Sequence, residues 1–149
     1  MKVNNMVTLR EITVENFWDV ISLCVSPEQE KLVLSNAVSI AQSKVQPECI
    51  PLAIYSDEEL VGFLMYCVDR DDNEYWLYRI MIDQRHQGKG YGRQAMEQVI
   101  GIMERDKDRH RIYLGVHRDG GASVKLYESL GFVFTGDVYG EEHIMMREY

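Results

Sequence analysis

The stretch that constrains this chain most runs from Tyr75 to Met103, where an apolar segment meets a glycine-rich turn and then an amphipathic helix. YWLYRIMI, from Tyr75 to Ile82, carries apolar side chains at both parities. That is the pattern of a strand covered on both faces, and so of a central one. Met96, Val99, Ile100 and Met103 then recur at helical spacing. Between the two lies RHQGKGYGR, Arg85 to Arg93, with glycine at 88, 90 and 92. A strand that passes through glycines into a helix start leaves uncovered backbone N–H groups converging at the positive end of the helix, a cradle for a phosphate-type anion. Lys89 and two arginines strengthen the field there. Two familiar phosphate motifs fail on spacing. The pattern G-x-x-x-x-G-K-[ST] is absent, and Arg93 stands where the dinucleotide fingerprint requires its third glycine.

The rest of the chain supplies a regular series of elements. VTLREI, Val7 to Ile12, alternates as a strand, and Phe17, Val20, Ile21 and Cys24 mark a first helix. Ser26-Pro27-Glu28-Gln29 offers a capping serine, a proline at the first helical position and a glutamine that completes a capping box. It predicts a second helix, with Val33, Ala37, Ile40 and Ala41 inward and an end before Pro47. Pro51 to Tyr55 and Leu60 to Val68 flank the turn Ser56-Asp57-Glu58-Glu59 as a hairpin, and an acidic linker, Asp69 to Glu74, leads to the central strand. After the glycine turn and its helix, Ile112, Leu114 and Val116 alternate as a strand. Ala122, Leu126 and Leu130 line a further helix stopped by Gly131, and strands follow at Phe132 to Thr135 and His143 to Arg147.

A length of 149 residues and 46% hydrophobic content suit one compact soluble domain, residues 1–149. The net charge of −8 argues against nucleic acid as a partner, whose binding needs cations to displace counterions, and suits a cationic substrate. Cys24, Cys49 and Cys67 have no zinc spacing and read as buried free thiols. His86 and His117 stand near the anion turn or a strand end, His110 and His143 look superficial, and none has metal-ligand spacing. No metal is expected. No basic-then-apolar leader is present and no apolar run approaches the roughly 18 residues that span a bilayer, which predicts a cytoplasmic protein without a membrane partner.

Arg85-His86-Gln87-Gly88-Lys89-Gly90 matches [QR]-x-x-G-x-[GA], and GGASVKLYESLGF, Gly120 to Phe132, matches the Leu-Tyr and Gly-Phe positions of N-x-x-A-x-x-L-Y-x-x-x-G-F. On these motifs the chain resembles the GNAT superfamily of N-acetyltransferases. The element order agrees over nearly the whole chain. The resemblance implies an α/β fold, a central, mostly antiparallel mixed sheet flanked by helices, with acetyl-coenzyme A as cosubstrate. It further implies that Ile80, Met81 and Ile82 pair with the pantetheine arm and polarise the acetyl carbonyl. Arg85, Gln87, Gly88, Lys89, Gly90, Tyr91, Gly92 and Arg93 would surround the pyrophosphate. Gly120 and Ser123 stand at the asparagine and alanine positions of the second motif, so the asparagine side-chain contact does not carry over and a backbone contact is the alternative left open there.

Direct transfer needs an oriented amine, donors for the developing oxyanion and an acid for the departing thiolate. The resemblance gives the acid role to Tyr127; a phenol of ordinary pKa near 10 is protonated at neutral pH. For the base, Glu74, Asp83 and Glu28 are the acidic candidates by segment, with Tyr78 as a relay through water. YWLYRIMIDQRHQGKGYG, VSPEQEKLVLSNAVSIAQS and GEEHIMMREY look like bacterial spermine/spermidine acetyltransferases. Such relatives often carry an acidic residue where Tyr78 stands. A polyamine acceptor is expected, drawn toward Asp69, Asp71, Asp72 and Glu74, and a homodimer is an assembly common in the family. The alternatives are a protein or peptide N-acetyltransferase and a non-catalytic coenzyme A-binding regulatory module.

Overall fold

The computed structural model describes residues 6–30, 34–117 and 120–149. Strand β1 (Val7–Glu11) is followed by α1 (Phe17–Ser22), α2 (Asn36–Val45), β2 (Cys49–Ser56), β3 (Glu59–Val68) and β4 (Tyr75–Ile82). A 3-10 turn, Gln84–His86, leads into α3 (Tyr91–Glu104), and β5 (Arg111–His117), α4 (Gly121–Ser129), β6 (Val133–Tyr139) and β7 (Glu142–Glu148) complete the order. The strands form one sheet in the order β1-β2-β3-β4-β5-β7-β6. β4 is its middle strand, as its two-sided apolar pattern requires. The β4–β5 pair is parallel, and the others are antiparallel.

Period-two alternation sorts the strand side chains onto two faces. On one, Leu64, Leu77, Leu114 and Met145 pack with Ala95, Met96, Val99 and Met103 of α3. On the other, Ala53, Phe63 and Met65 pack with Val20 of α1 and the following Leu23. The central strand is therefore clamped from both sides.

Local sequence signals were overruled in three places. The expected helix start at Ser26 yields only a turn over Pro27–Glu30, although Gln29 Oε1 accepts the Ser26 N–H at 3.4 Å as a capping box should. A cap satisfies stray donors but contributes only about 1 kcal/mol, so without a face to bury it does not propagate a helix. The described helix begins at Asn36, where Ser35 Oγ accepts the Val38 N–H at 3.2 Å. Of its expected inward residues, Val33 lies outside the described residues, Ala37 and Ala41 face solvent, and Ile40 is half-buried. The buried residues are Asn36 and Ser39. Asn36 Nδ2 donates to the Val20 carbonyl at 2.9 Å, so the helix docks on α1 through a hydrogen bond. In α4, Ala122 is exposed and Leu126 and Leu130 are half-buried, while Tyr127 is the buried residue. The inward stripe is turned toward Tyr127, which meets Phe132 edge-on with ring centroids 6.1 Å apart. Cys24 falls beyond α1 and is exposed; Cys49 and Cys67 are buried, and all three are free thiols.

Candidate active site

The parallel seam between β4 and β5 is only three rungs long, Tyr75–Ile112, Trp76–Tyr113 and Leu77–Leu114. Past Leu77, β4 stays with β3 and β5 stays with β7, so a cleft opens between them. At the same point β4 bulges: Tyr66 pairs with Leu77 but Met65 pairs with Arg79, leaving Tyr78 as an extra residue. An extra residue reverses the side-chain parity that follows. Trp76 before the bulge, Tyr78 on it and Met81 after it accordingly share the α1 side, whereas Leu77, Ile80 and Ile82 share the α3 side.

The cleft is a cavity of about 890 Å³. Ile80, Met81 and Ile82 form one wall, and Gln87, Gly88, Gly90, Tyr91, Gly92 and Arg93 form the end nearest α3. Gly120, Ser123 and Tyr127 close it from α4. Arg85 and Lys89 do not line it. Arg85 Nε is bound instead to Asp83 Oδ2 at 2.8 Å, and Lys89 is exposed. Gly88 and Gly90 hold φ of 77° and 84°, in the left-handed region that disfavours side chains, and a Cβ on either would meet no atom of the described residues within 4 Å. Open space therefore faces the backbone of the turn. Gly90 is also the N-cap of α3, so the positive end of that helix points into the cavity.

Neighbouring side chains fix the turn. Asp83 is 1% exposed and accepts from Cys24 N at 3.0 Å, Arg85 N at 3.2 Å and Arg85 Nε at 2.8 Å. Burial alone would raise its pKa, but the Arg85 guanidinium and the backbone donors outweigh it and hold the carboxyl below the usual aspartate value. Gln87 Nε2 donates to the Ile82 carbonyl at 2.9 Å and to Gln29 Oε1 at 2.9 Å, folding the turn back on the end of β4. Arg93 pairs with Glu97 at 3.2 Å and donates to Ser129 Oγ at 2.7 Å, which joins the starts of α3 and the end of α4.

Tyr127 is 8% exposed, and burial pushes its phenol up to about 12. Of the groups considered for the base, Tyr78 lines the cavity, whereas Glu28, Glu74 and Asp83 do not. Tyr78 donates to Asp69 Oδ2 at 2.5 Å; burial first, and then that carboxylate, push its pKa far up. His86 and His117 line the cavity and lie 3.4 Å and 3.0 Å from Glu59 and Glu141. The ring of His110 packs near Tyr149, and that of His143 meets Phe134.

A smaller cavity of about 230 Å³ opens beside the first, sharing Leu77, Tyr78, Arg79, Gly115 and Glu142 with it. Trp76, Tyr139, Gln42 and Ile144 complete its walls. The sequence reading missed this group because β7 reaches the cleft only through its pairing with β5, where Glu142 stands opposite His117. Gly115 inside a strand was the available signal, since such a glycine marks close approach by another group. None of the linker carboxylates lines either cavity, and two of them bind aromatic residues of the smaller one. Asp72 accepts from Trp76 Nε1 at 2.8 Å, as Asp69 does from Tyr78.

An opened strand pair, a glycine cradle on a helix start and a buried phenol from α4 line one cavity, and together with the chain's family match they mark an acyltransferase that draws on a coenzyme A thioester. The chain belongs to the acetyltransferase (GNAT) family, whose model matches residues 6–132. It is 29% identical to the spermine/spermidine N(1)-acetyltransferase of Bacillus subtilis (strain 168), over 95% of this chain and 98% of that protein. Its fold is shared by the spermidine N-acetyltransferase of Vibrio cholerae in complex with coenzyme A and spermine (TM-score 0.76, 19% identity, 97% and 96% covered). The PaiA N-acetyltransferase of Thermoplasma acidophilum in complex with coenzyme A is likewise similar (TM-score 0.72, 19% identity, 96% and 99% covered). Acetyl-coenzyme A is the acyl donor of this enzyme.

Proposed function

We propose that residues 1–149 act as one N-acetyltransferase domain that moves the acetyl group of acetyl-coenzyme A to a primary amine of spermine or spermidine. The observation that carries this reading is the pair of joined cavities at the β4–β5 opening, a long one ending at the glycine turn and a short one walled by Trp76, Tyr78 and Tyr139. Aromatic faces attract alkylammonium groups, and the similarity to a curated spermine/spermidine acetyltransferase spans 95% of the chain.

The donor supplies a thioester carbonyl. In this reading the amides of Gly88, Gly90, Tyr91, Gly92 and Arg93 hold the pyrophosphate, with Gln87 bracing the turn and Arg85 and Lys89 adding long-range charge. Ile80 to Ile82 orient the arm and donate to the developing oxyanion. Gly120 and Ser123 support it from α4 through backbone contacts. Tyr127 gives its proton to the departing sulfur, a role its raised pKa suits because the phenol stays protonated across the neutral range. The amine loses its proton through water ordered by Tyr78. The reaction is assigned to the cytoplasm. A homodimer belongs to the same reading, with the exposed residues Val133, Phe134 and Val138 of edge strand β6 as its apolar surface. Equilibrium sedimentation at the mass of a single chain would remove the dimer.

One observation favours a second acceptor class. Arg79 lines both cavities, and its buried Nε has no hydrogen-bond partner among the described residues. A free guanidinium donor suits an amine that also bears a carboxylate, such as an amino acid. Acetyl-coenzyme A-dependent thiol release decides the matter when spermine, spermidine, aminoglycosides, amino acids and N-terminal peptides are compared at equal concentration. Fastest turnover of a polyamine is expected. Faster turnover of an amino acid or a peptide transfers the assignment to that class, and no thiol release with any amine leaves a coenzyme A-binding module.

A further inference from the structure

We infer that Glu142 is the carboxylate that receives the acceptor's ammonium group, held over Gly115 at the junction of the two cavities. The inference rests on the acetyltransferase reading and does not require that the acceptor be a polyamine. Glu142 is the single carboxylate common to both sets of cavity walls among the described residues. Its side chain lies across β5. A Cβ placed on Gly115 would come within 2.5 Å of Glu142 Oε2 and 3.0 Å of its Cδ, so the carboxylate occupies the space that any other residue at 115 would fill. That strand position is opposite Ile144, in a ladder where every other rung carries a side chain.

Three aromatic rings surround the same space. Trp76 stacks on Tyr113 at 5.1 Å and leans on Tyr139 at 6.4 Å, and Tyr78 stands beside them on the bulge. The two rings from β4 are wired from behind to anions, since Trp76 donates to Asp72 and Tyr78 donates to Asp69. Donation to a carboxylate enriches the ring face, which raises its attraction for a cation. Carboxylate plus aromatic faces is a recognition set for an alkylammonium. Arg79 is the opposing charge in the space. Its guanidinium is drawn aside by the Tyr78 carbonyl at 2.8 Å and Gln42 Oε1 at 3.3 Å, which sets a limit on how far a second ammonium can enter along that wall.

The test uses the full chain and whichever amine the wild type acetylates fastest, so that failure of the polyamine reading is seen in the wild type and failure of this assignment in the variants. Glu142→Gln keeps the shape and removes the charge. Its amine KM is expected to rise about tenfold or more, the loss of one charged hydrogen bond, with acetyl-coenzyme A affinity by calorimetry unchanged within about twofold. Glu142→Asp should recover part of the loss. Gly115→Ala, which displaces the carboxylate without removing it, should raise the same KM, and the double variant should show less than the sum of the two effects. An unchanged amine KM in Glu142→Gln overturns the assignment, as does full additivity with Gly115→Ala. If the wild type turns over no amine, calorimetry with spermidine and butylamine on the coenzyme A-loaded protein replaces kinetics, and failure of both to bind overturns it as well.

Discussion

In the proposed mechanism Tyr127 answers two demands at once. Its ring packs in the core with the sheet and α3, and the residue also lines the cleft that β4 and β5 leave open, where the proposed mechanism puts its hydroxyl to use. Tyr127→Phe keeps the ring, so the fold should persist and kcat should fall by roughly 10²–10⁴-fold, the usual effect of losing a general acid. A variant with wild-type kcat, under conditions where chemistry limits turnover, would give the proton to water instead. Because burial lifts the phenol to about 12, its donor form survives well above neutrality. The kcat profile should therefore rise as the amine deprotonates and show no falling limb until pH exceeds about 11. A second residue-scale prediction concerns Gly90. With φ of 84° and no described atom within 4 Å of its Cβ position, Gly90→Val strains the backbone by about 1–3 kcal/mol and sets a side chain at the proposed pyrophosphate site. Calorimetry should show weakened acetyl-coenzyme A binding in the folded variant; unchanged affinity would remove the turn from the binding site.

Among the elements, those legible in the sequence were the ones whose stabilisation is local or two-sided. β4 was read at its observed bounds because a strand covered on both faces leaves no polar position to blur its ends. The glycine turn and α3 were legible for a related reason, since backbone geometry there admits few residues. α2 was misread because its docking face is polar: Asn36 and Ser39 are buried, while Val38 and Val45 are exposed at 50% and 78%. Hydrophobic periodicity cannot find a helix that seats on a hydrogen bond. The 3-10 turn after β4 depends on Asp83, which gives a further prediction. Asp83→Asn should lower stability by about 2 kcal/mol in denaturant melts, because it loses charged acceptors for Arg85 and for the Cys24 amide. The sign with pH follows from the depressed pKa. The contribution is complete above the ordinary aspartate value of 3.8 and disappears as pH falls below it, so wild type and variant should converge in acid.

At the scale of the whole molecule, the site draws on segments far apart in sequence: residues of β4 and the glycine turn, Leu114 to His117 with residues of α4, and Tyr139 with Glu142 meet around one opening. The first two groups were legible as motifs. The third was not, because Glu142 reaches the opening through the pairing of β7 with β5, and Tyr139 through the pairing of β6 with β7. The net charge of −8 belongs to this scale too. If a polycation is captured by the general field, its KM should rise with ionic strength, since charges beyond about 8–10 Å are screened at physiological salt. A salt-independent KM would leave contact recognition alone. The three-rung seam between β4 and β5 has a mechanical meaning as well. It divides the sheet into two plates, β1 to β4 and β5 to β6, joined at one end like a pair of tongs. Amides of Tyr78 to Ile82 that point across the gap have no strand opposite them, so they should exchange with deuterium early, and the arriving thioester arm would act as a temporary eighth strand that slows them. The β2–β3 ladder, already complete, should not respond.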